Sequence, residues 1–198
     1  MRRQNAESRG ARQMTDGPDY QLHRTVVLVG MMGSGKSAIG RALAERLGVP
    51  FVDSDAAIEA AAAQSIAEIF ERDGEAFFRE REAEVLRRLL SGPPGIVSTG
   101  GGAFLAARNR DLIQDMGVAL WLDADIDTLW ERVRHKDTRP LLRTPDPKAT
   151  LTHIFQERRP IYEHAGVQLK VARDASIDET TESALEALAN RPDILEAA

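Results

Sequence analysis

The amino-acid sequence predicts an α/β fold, a three-layer sandwich in which helices flank a five-stranded parallel sheet. Two observations predict it. Short apolar or β-branched runs alternate with segments of helical periodicity along most of the chain, which is the pattern of a parallel sheet covered on both faces. The chain has 198 residues, of which 42% are hydrophobic and 29% charged, and this length and composition suit a single globular domain.

The predicted strands and helices follow one another in order along the chain. The five strands are expected at 25–30, 51–52, 96–98, 118–122 and 167–171. The helices are expected at 36–47, 55–63, 65–72, 75–90, 104–116, 125–134, 148–164 and 178–190. The first strand, TVVLVG, is apolar almost throughout, as a strand buried on both faces would be. Ser65 and Glu68 have the spacing of a capping box, which marks the start of a helix.

The domain boundaries follow from composition. Residues 1–23 are polar and lack apolar periodicity, so we predict a disordered leader, within which Met14 is an alternative start. A single domain is expected over 24–190, followed by a short tail at 191–198. Three prolines within 138–147 predict irregular structure there.

Composition excludes several classes of protein. The chain has no cysteine, so disulfides and cysteine-ligated metal sites are impossible. No apolar run approaches the roughly 20 residues that span a bilayer, and the first residues lack the apolar core of a signal peptide. The formal net charge of −5 argues against general nucleic-acid binding, which is typical of basic proteins. We therefore expect a cytoplasmic protein, acting as a monomer, with no membrane or nucleic-acid partner.

Basic residues are concentrated in two segments of this acidic chain. Residues 24–52 contain four basic side chains and one acidic one, and residues 131–160 contain eight basic and four acidic ones. A local positive field concentrates anionic ligands, but charge also fluctuates along any sequence. Charge alone therefore leaves both interpretations open.

The strongest motif is the segment Gly30–Ser37, GMMGSGKS, which matches G-x-x-x-x-G-K-[ST] between a predicted strand and a predicted helix. Glycines let the backbone N–H groups of such a loop turn towards phosphate oxygens, and the helix N-terminus adds positive charge. Lys36 is expected to bind the β- and γ-phosphates, and the Ser37 hydroxyl to ligate Mg²⁺. The predicted nucleotide-binding residues are Gly33, Ser34, Gly35, Lys36, Ser37 and Ala38.

Asp53 and Asp55 follow the second predicted strand, at the edge of the sheet where ligands bind in this fold class. One carboxylate can support Mg²⁺ through its waters, and the other can bind acceptor hydroxyl groups. The alternative interpretation is helix capping, since Ser54 or Asp55 precedes the next predicted helix. The chain lacks the N-K-x-D motif of GTPases, so its P-loop and length favour a small-molecule kinase.

A family resemblance narrows this class. The segments GMMGSGKSAIGRALAERLGVPFVDSD, FFRERE, GGG, RPLL and ERRPIY occur in this order, and together they resemble the shikimate kinases from the P-loop to about residue 170. The resemblance implies a P-loop fold of the nucleoside-monophosphate-kinase type. It also implies transfer of the γ-phosphoryl group of ATP, with Mg²⁺, to the 3-hydroxyl of shikimate in aromatic amino-acid biosynthesis.

The resemblance also implies roles for single residues on the acceptor side. Asp55 would bind the ring hydroxyls of shikimate and orient or deprotonate the attacked oxygen, while Asp53 would lie near Mg²⁺. Arg79 and Arg158 would hold the shikimate carboxylate, and Glu82 would support Arg79. The backbone of the triple glycine would approach the substrate; its members are Gly100, Gly101 and Gly102.

Two further arginines are assigned to the nucleotide by the same resemblance. Arg139 would reach the transferred phosphate from a lid at 135–148, and Arg132 would stack near adenine. Closure of the lid would exclude water, which otherwise competes as the phosphoryl acceptor. The substrate-binding helices would occupy 54–90, and the catalytic residues would be Lys36, Asp55 and Arg139.

The chain departs from a standard P-loop pattern at one strand. The segment 97–99, VST, lacks the acidic residue of a Walker-B strand, so the carboxylate near Mg²⁺ must come from Asp53, and Ser98 can assist through water. Two alternatives stay open: another small-molecule kinase, of the gluconate or nucleoside-monophosphate type, and a non-catalytic nucleotide-binding regulatory module. The intact set Lys36, Ser37, Asp55 and Arg139 argues against the second.

Overall fold

A five-stranded parallel sheet forms the centre of the molecule in the computed structural model, which describes residues 20–135 and 140–197. The strands are β1 (Tyr20–Leu22), β2 (Thr25–Val29), β3 (Phe51–Asp53), β4 (Ile96–Ser98), β5 (Gly117–Ala124), β6 (Val167–Val171) and β7 (Leu195–Ala197). The central sheet has the order β3-β4-β2-β5-β6, with every pair parallel. The predicted fold class is confirmed.

Seven helices surround this sheet in the described part of the chain. They are α1 (Lys36–Leu47), α2 (Ser54–Ala62), α3 (Ile66–Leu90), α4 (Ala107–Met116), α5 (Ile126–Val133), α6 (Pro147–Tyr162) and α7 (Ile177–Ala189). Every residue of β2 and β5 is buried, which requires cover on both faces of the sheet. Helix α1 packs against α7, and α4 contacts β5 and α3. None of the helices within 20–135 and 140–197 is both long and apolar enough to cross a membrane.

Helices α2 and α3 form a subsidiary unit beside the sheet. Ser65 and Glu68 make the predicted capping box at the start of α3. The backbone of α3 leaves the helical conformation at Gly74, where φ is 82°, which corresponds to the predicted break between two helices. Helices α2 and α3 pack together through a small apolar cluster that is separate from the main core; its members are Ile58, Ile69, Phe78 and Val85.

Regular structure extends further towards both ends of the chain than the sequence predicts. Residues 20–22, assigned to the leader, form β1, and it pairs antiparallel with β7, which lies in the predicted tail. Leu22 and Leu195 are buried in the main core, so burial of apolar side chains explains why these segments are ordered. The domain therefore extends beyond the predicted boundaries at both ends, while residues 1–19 lie outside the described part.

The proline-rich segment also differs in part from the prediction. Residues 140–142 form a short 3₁₀ turn rather than irregular chain. Leu142 is buried and belongs to the main core, and Asp146 caps α6 through a hydrogen bond from the backbone N–H of Ala149. This part of the predicted lid is therefore anchored on α6.

Candidate active site

The loop between β2 and α1 has the backbone conformation expected of a phosphate-binding loop. Gly33 and Gly35 have φ angles of 84° and 98°, in the left-handed region that residues with a Cβ disfavour. The ammonium group of Lys36 donates hydrogen bonds to the carbonyl oxygens of Gly30 at 2.8 Å and Met31 at 3.0 Å. The positive charge of Lys36 therefore lies against the loop itself.

A cleft of about 640 Å³ opens beside this loop. Its lining includes the predicted nucleotide-binding residues Gly33, Ser34, Gly35, Lys36, Ser37, Ala38 and Arg132, and also Asp53, Asp55, Gly100 and Gly101. Arg132, on α5, places Nη1 3.5 Å from the carbonyl oxygen of Gly33. Sequence reasoning missed the part of the lining near the end of β6 and the start of α7: Val171, Ala175, Ser176, Ile177 and Thr180.

An oxygen cluster lies at the floor of the P-loop. The hydroxyl of Ser37 donates to Oδ2 of Asp53 at 3.1 Å and lies 3.2 Å from the hydroxyl oxygen of Ser98. The other carboxylate oxygen, Oδ1 of Asp53, accepts hydrogen bonds from the backbone N–H groups of Asp55 and Ala56 and so caps α2. The cap of α2 is thus Asp53 and not the predicted Ser54 or Asp55. Asp53 can cap the helix and contact Ser37 at the same time, because each contact uses a different oxygen.

This cluster fits a magnesium ion chemically. Mg²⁺ prefers hydroxyl, carboxylate and water oxygens and is usually held by few protein groups together with substrate phosphates. Ser37 and Asp53 offer two such oxygens at the edge of the phosphate-binding loop. Because two protein oxygens leave most of the coordination positions of the ion open, this donor set suits an ion shared with phosphates and water.

Asp55 lies at the first turn of α2 in an unusual electrostatic environment. Its pKa is raised from the ordinary value of 3.8 to about 6, first by burial and then by the negative charges of Asp53 and Glu82, although Lys36 acts in the opposite direction. A carboxyl group with this pKa is ionised near neutral pH yet binds a proton more readily than an exposed one. Such a group is suited to accepting a hydroxyl proton.

The glycine turn after β4 packs closely against two predicted acceptor residues. A Cβ atom at Gly100 would lie 2.8 Å from both carboxylate oxygens of Asp55, and one at Gly102 would lie 3.0 Å from Nη2 of Arg79. Distances below about 3.4 Å are too short for unstrained contact. A Cβ at either position would therefore push the charged group of Asp55 or Arg79 away from the turn.

The middle glycine of the turn contacts helix α6. The carbonyl oxygen of Gly101 accepts a hydrogen bond from the Tyr162 hydroxyl at 2.6 Å and lies 3.3 Å from Nη1 of Arg158. Tyr162 is buried between the rings of Phe104 and Trp121, and its burial raises the pKa of its phenol group. Tyr162 therefore holds α6, and with it Arg158, against the turn.

Arg79 is paired with two carboxylates of its own helix. Both oxygens of Glu82 accept hydrogen bonds from Nη1 at 3.1 Å. Oε1 of the exposed Glu75 accepts from Nε at 3.3 Å and Nη2 at 3.2 Å. Glu82 is only 3% exposed, and a buried carboxylate requires such a partner. Glu82 thus contacts the arginine that it is predicted to support.

A second buried carboxylate anchors α6 from the sheet, and sequence reasoning did not find it. Asp123, on β5, accepts hydrogen bonds from both terminal nitrogens of Arg159 at 2.9 and 3.3 Å, and from Gln168 and Lys170 on β6. Burial raises the pKa of Asp123, but these donors outweigh that effect and hold the pKa below its usual range. Because Arg159 follows Arg158 directly, this pairing fixes the backbone that carries Arg158.

One predicted site residue is not placed by the structure. Arg139, expected to reach the transferred phosphate, lies outside the described residues. The other predicted residues meet at the carboxyl ends of β2, β3 and β4, around the P-loop and the glycine turn.

The fold and this arrangement define a class. A phosphate-binding loop after the central strand of a parallel sheet is typical of P-loop nucleotide-binding proteins. The carboxylate and two arginines around the glycine turn add a second polar site, suited to an acceptor with a carboxylate and hydroxyl groups. The class is therefore a P-loop small-molecule kinase.

Comparisons with known proteins identify the family. The family model of shikimate kinase matches residues 32–189. A shikimate kinase of Ruegeria pomeroyi is 59% identical over 181 residues, covering 91% of this chain and 93% of that protein. One of Cereibacter sphaeroides is 55% identical over 176 residues, covering 89% and 88%. A solved structure of shikimate kinase from Acinetobacter baumannii in complex with shikimate matches with a TM-score of 0.77 and 36% identity, covering 85% of this chain and 94% of that one.

The chain belongs to the shikimate kinase family. It is therefore an ATP-dependent kinase, with ATP as co-substrate and Mg²⁺ as cofactor. The predicted family, fold class and cofactors are confirmed.

The raised pKa of Asp55 predicts a pH-dependent effect of Asp55→Asn on stability, measured by thermal unfolding without nucleotide or metal. Above about pH 6 the Asp55 carboxylate is ionised in a partly buried site of the folded protein, which costs stability. In the unfolded chain the same ionised group is in water and carries no such cost. Asp55→Asn should therefore raise Tm at about pH 8, and this gain should shrink as the pH falls from about 6 towards 4. Asp111→Asn, at an exposed carboxylate on α4, is the matched control. A Tm difference that does not change with pH would contradict this electrostatic account.

Proposed function

We propose that this chain transfers the γ-phosphoryl group of ATP to the 3-hydroxyl group of shikimate, giving shikimate 3-phosphate and ADP for aromatic amino-acid biosynthesis. The observation that carries the proposal is the glycine turn, against which Asp55, Arg79 and Arg158 all lie. Shikimate presents one carboxylate and several ring hydroxyl groups. These are the groups that two arginines and a carboxylate would bind on opposite sides of one small molecule.

The acceptor is held and oriented by side chains from three helices. Arg79 on α3 and Arg158 on α6 bind the shikimate carboxylate, and the Gly100–Gly102 backbone lies against the ring. Asp55 accepts a hydrogen bond from the 3-hydroxyl, orients its oxygen towards the phosphate and, when ionised, can take its proton. Holding the acceptor in one orientation is the main contribution that a protein makes to phosphoryl transfer.

The nucleotide is held by the P-loop. Backbone N–H groups of Gly33, Gly35 and their neighbours bind the phosphates, and Lys36 turns from its loop carbonyls to the β- and γ-phosphates. Ser37 and, through water, Asp53 would hold Mg²⁺, which would supply positive charge to the phosphates. These groups lower the barrier by placing positive charge where negative charge develops.

The remaining arginines of the basic segment act on the nucleotide side in this proposal. Arg132 stacks near adenine, supported by its place beside Gly33 in the cleft. Arg139 reaches the transferred phosphate from the lid at 135–148, which closes over the site and excludes water. This assignment rests on the family resemblance of the segment RPLL.

We also propose that the chain works as a monomer in the cytoplasm. The described residues of one chain supply both the P-loop and the acceptor side of the site. The absence of cysteine is compatible with a reducing compartment.

The experiment that tests the proposed function is a coupled ADP-release assay with MgATP and three acceptors: shikimate, gluconate and a nucleoside monophosphate. Release is expected with shikimate alone, because it is the one acceptor of the three that carries both a carboxylate and ring hydroxyl groups. Lys36→Ala supplies the background, since loss of the phosphate-binding ammonium should reduce turnover by at least about 10³-fold. Release with gluconate or a nucleotide instead would overturn the acceptor, and release with none would support the regulatory alternative.

Arg79→Ala should raise the KM for shikimate about 100-fold, because a charge-assisted, two-point contact with the carboxylate is lost. The KM for ATP should change little, since Arg79 lies on the acceptor side of the glycine turn. The KM for shikimate of Arg79→Lys should lie between those of the unaltered protein and Arg79→Ala, because lysine keeps the charge but loses the planar fork of the guanidinium. Arg87→Ala, at an exposed arginine of the same helix, is the control. A rise of similar size in the KM for ATP would contradict the assignment of Arg79 to the acceptor side and place it on the nucleotide side.

A further inference from the structure

We infer that Asn109 is a positioning residue for the acceptor carboxylate. Its side-chain amide joins Glu82, the partner of Arg79, to the glycine turn, and so sets the distance between the arginine and the turn. The inference rests on the proposed function, because Arg79 is the group whose position matters. Sequence reasoning gave Asn109 no role.

The amide of Asn109 makes two hydrogen bonds from the first turn of α4. Nδ2 donates to Oε2 of Glu82 at 3.3 Å and to the carbonyl oxygen of Ala103 at 2.9 Å. The side chain is completely buried, with 0% exposed. Both acceptors require a donor at this position, so the orientation of the amide is determined by its surroundings.

These two contacts lie on either side of Arg79. Glu82 holds Nη1 of Arg79 with both oxygens, and Gly102 packs so closely that a Cβ there would be 3.0 Å from Nη2. Ala103 continues the turn, and its N–H donates to the carbonyl oxygen of Gly100 at 3.2 Å. One amide therefore holds both the counter-ion of the arginine and the turn beside it.

The remaining polar atom of the amide, Oδ1, indicates that this bridge explains why asparagine occupies the position. Oδ1 of Asn109 is buried and has no hydrogen-bond partner among the described residues. A buried acceptor without a partner destabilises a fold, and a leucine of similar size would avoid it. The benefit of asparagine at this position must therefore come from the two bonds that Nδ2 donates.

Asn109→Leu tests the inference, since it removes the donor and the unpartnered acceptor while keeping the volume. We expect the KM for shikimate to rise about tenfold, which is the effect of losing one positioning hydrogen bond to a charged group. The kcat and the KM for ATP should stay within about twofold, and Tm should fall slightly, because Glu82 and the carbonyl oxygen of Ala103 each lose a donor. Gln114→Leu, at an exposed amide on the same helix, is the matched control and should change none of these values.

A double-mutant cycle with Glu82→Met, which removes both carboxylate oxygens while keeping a side chain of similar length, shows whether Asn109 acts through Glu82. In that background, Asn109→Leu should raise the KM for shikimate much less than it does alone, because the link is already broken. An unchanged KM for shikimate in the single variant would overturn the positioning role. So would a general loss of function, in which Tm and kcat fall and both KM values rise to a similar extent. Either result would leave the proposed function intact. Absence of shikimate-dependent ADP release in the unaltered protein would overturn both.

Discussion

The close packing of three charged side chains against one glycine turn is the constraint on which the site depends. Asp55, Arg79 and Arg158 come from three different helices, and the turn at 100–102 is the element that all three approach. A Cβ at Gly100 or Gly102 would fit only if the charged group of Asp55 or Arg79 moved away. A side chain at these two positions would move the groups that we propose bind the acceptor, so the absence of side chains there helps to determine the shape of the site.

Buried hydrogen-bonded side chains keep this arrangement in place. Glu82 and Asn109 support Arg79 from α3 and α4, and Asp123 supports Arg159, next to Arg158, from the sheet. Buried carboxylates are stable only with several donors, and each of these has them. The overall charge of −5 therefore says little about the site, where buried acidic groups hold arginines in place and basic groups are the ones that we propose bind the anionic ligands.

The sequence predicted the parts of the molecule that depend on local pattern. The alternation of strands and helices, the capping box at Ser65 and the P-loop conformation follow from residues close together in the chain, and all three agree with the structure. The pairing of β1 with β7 was not predictable, because it joins two segments far apart that have little apolar pattern of their own. Asn109 and Asp123 were missed for the same reason: a single polar residue in a helix or strand gives no signal until its distant partners are known.

A crystal structure with shikimate and a non-hydrolysable ATP analogue would test the central claim most directly. The account predicts that the shikimate carboxylate lies within hydrogen-bond distance, about 3 Å, of both Arg79 and Arg158, with a ring hydroxyl on Asp55 and the ring against the glycine turn. A carboxylate bound by neither arginine, or a ring whose hydroxyl groups all point away from Asp55, would contradict it.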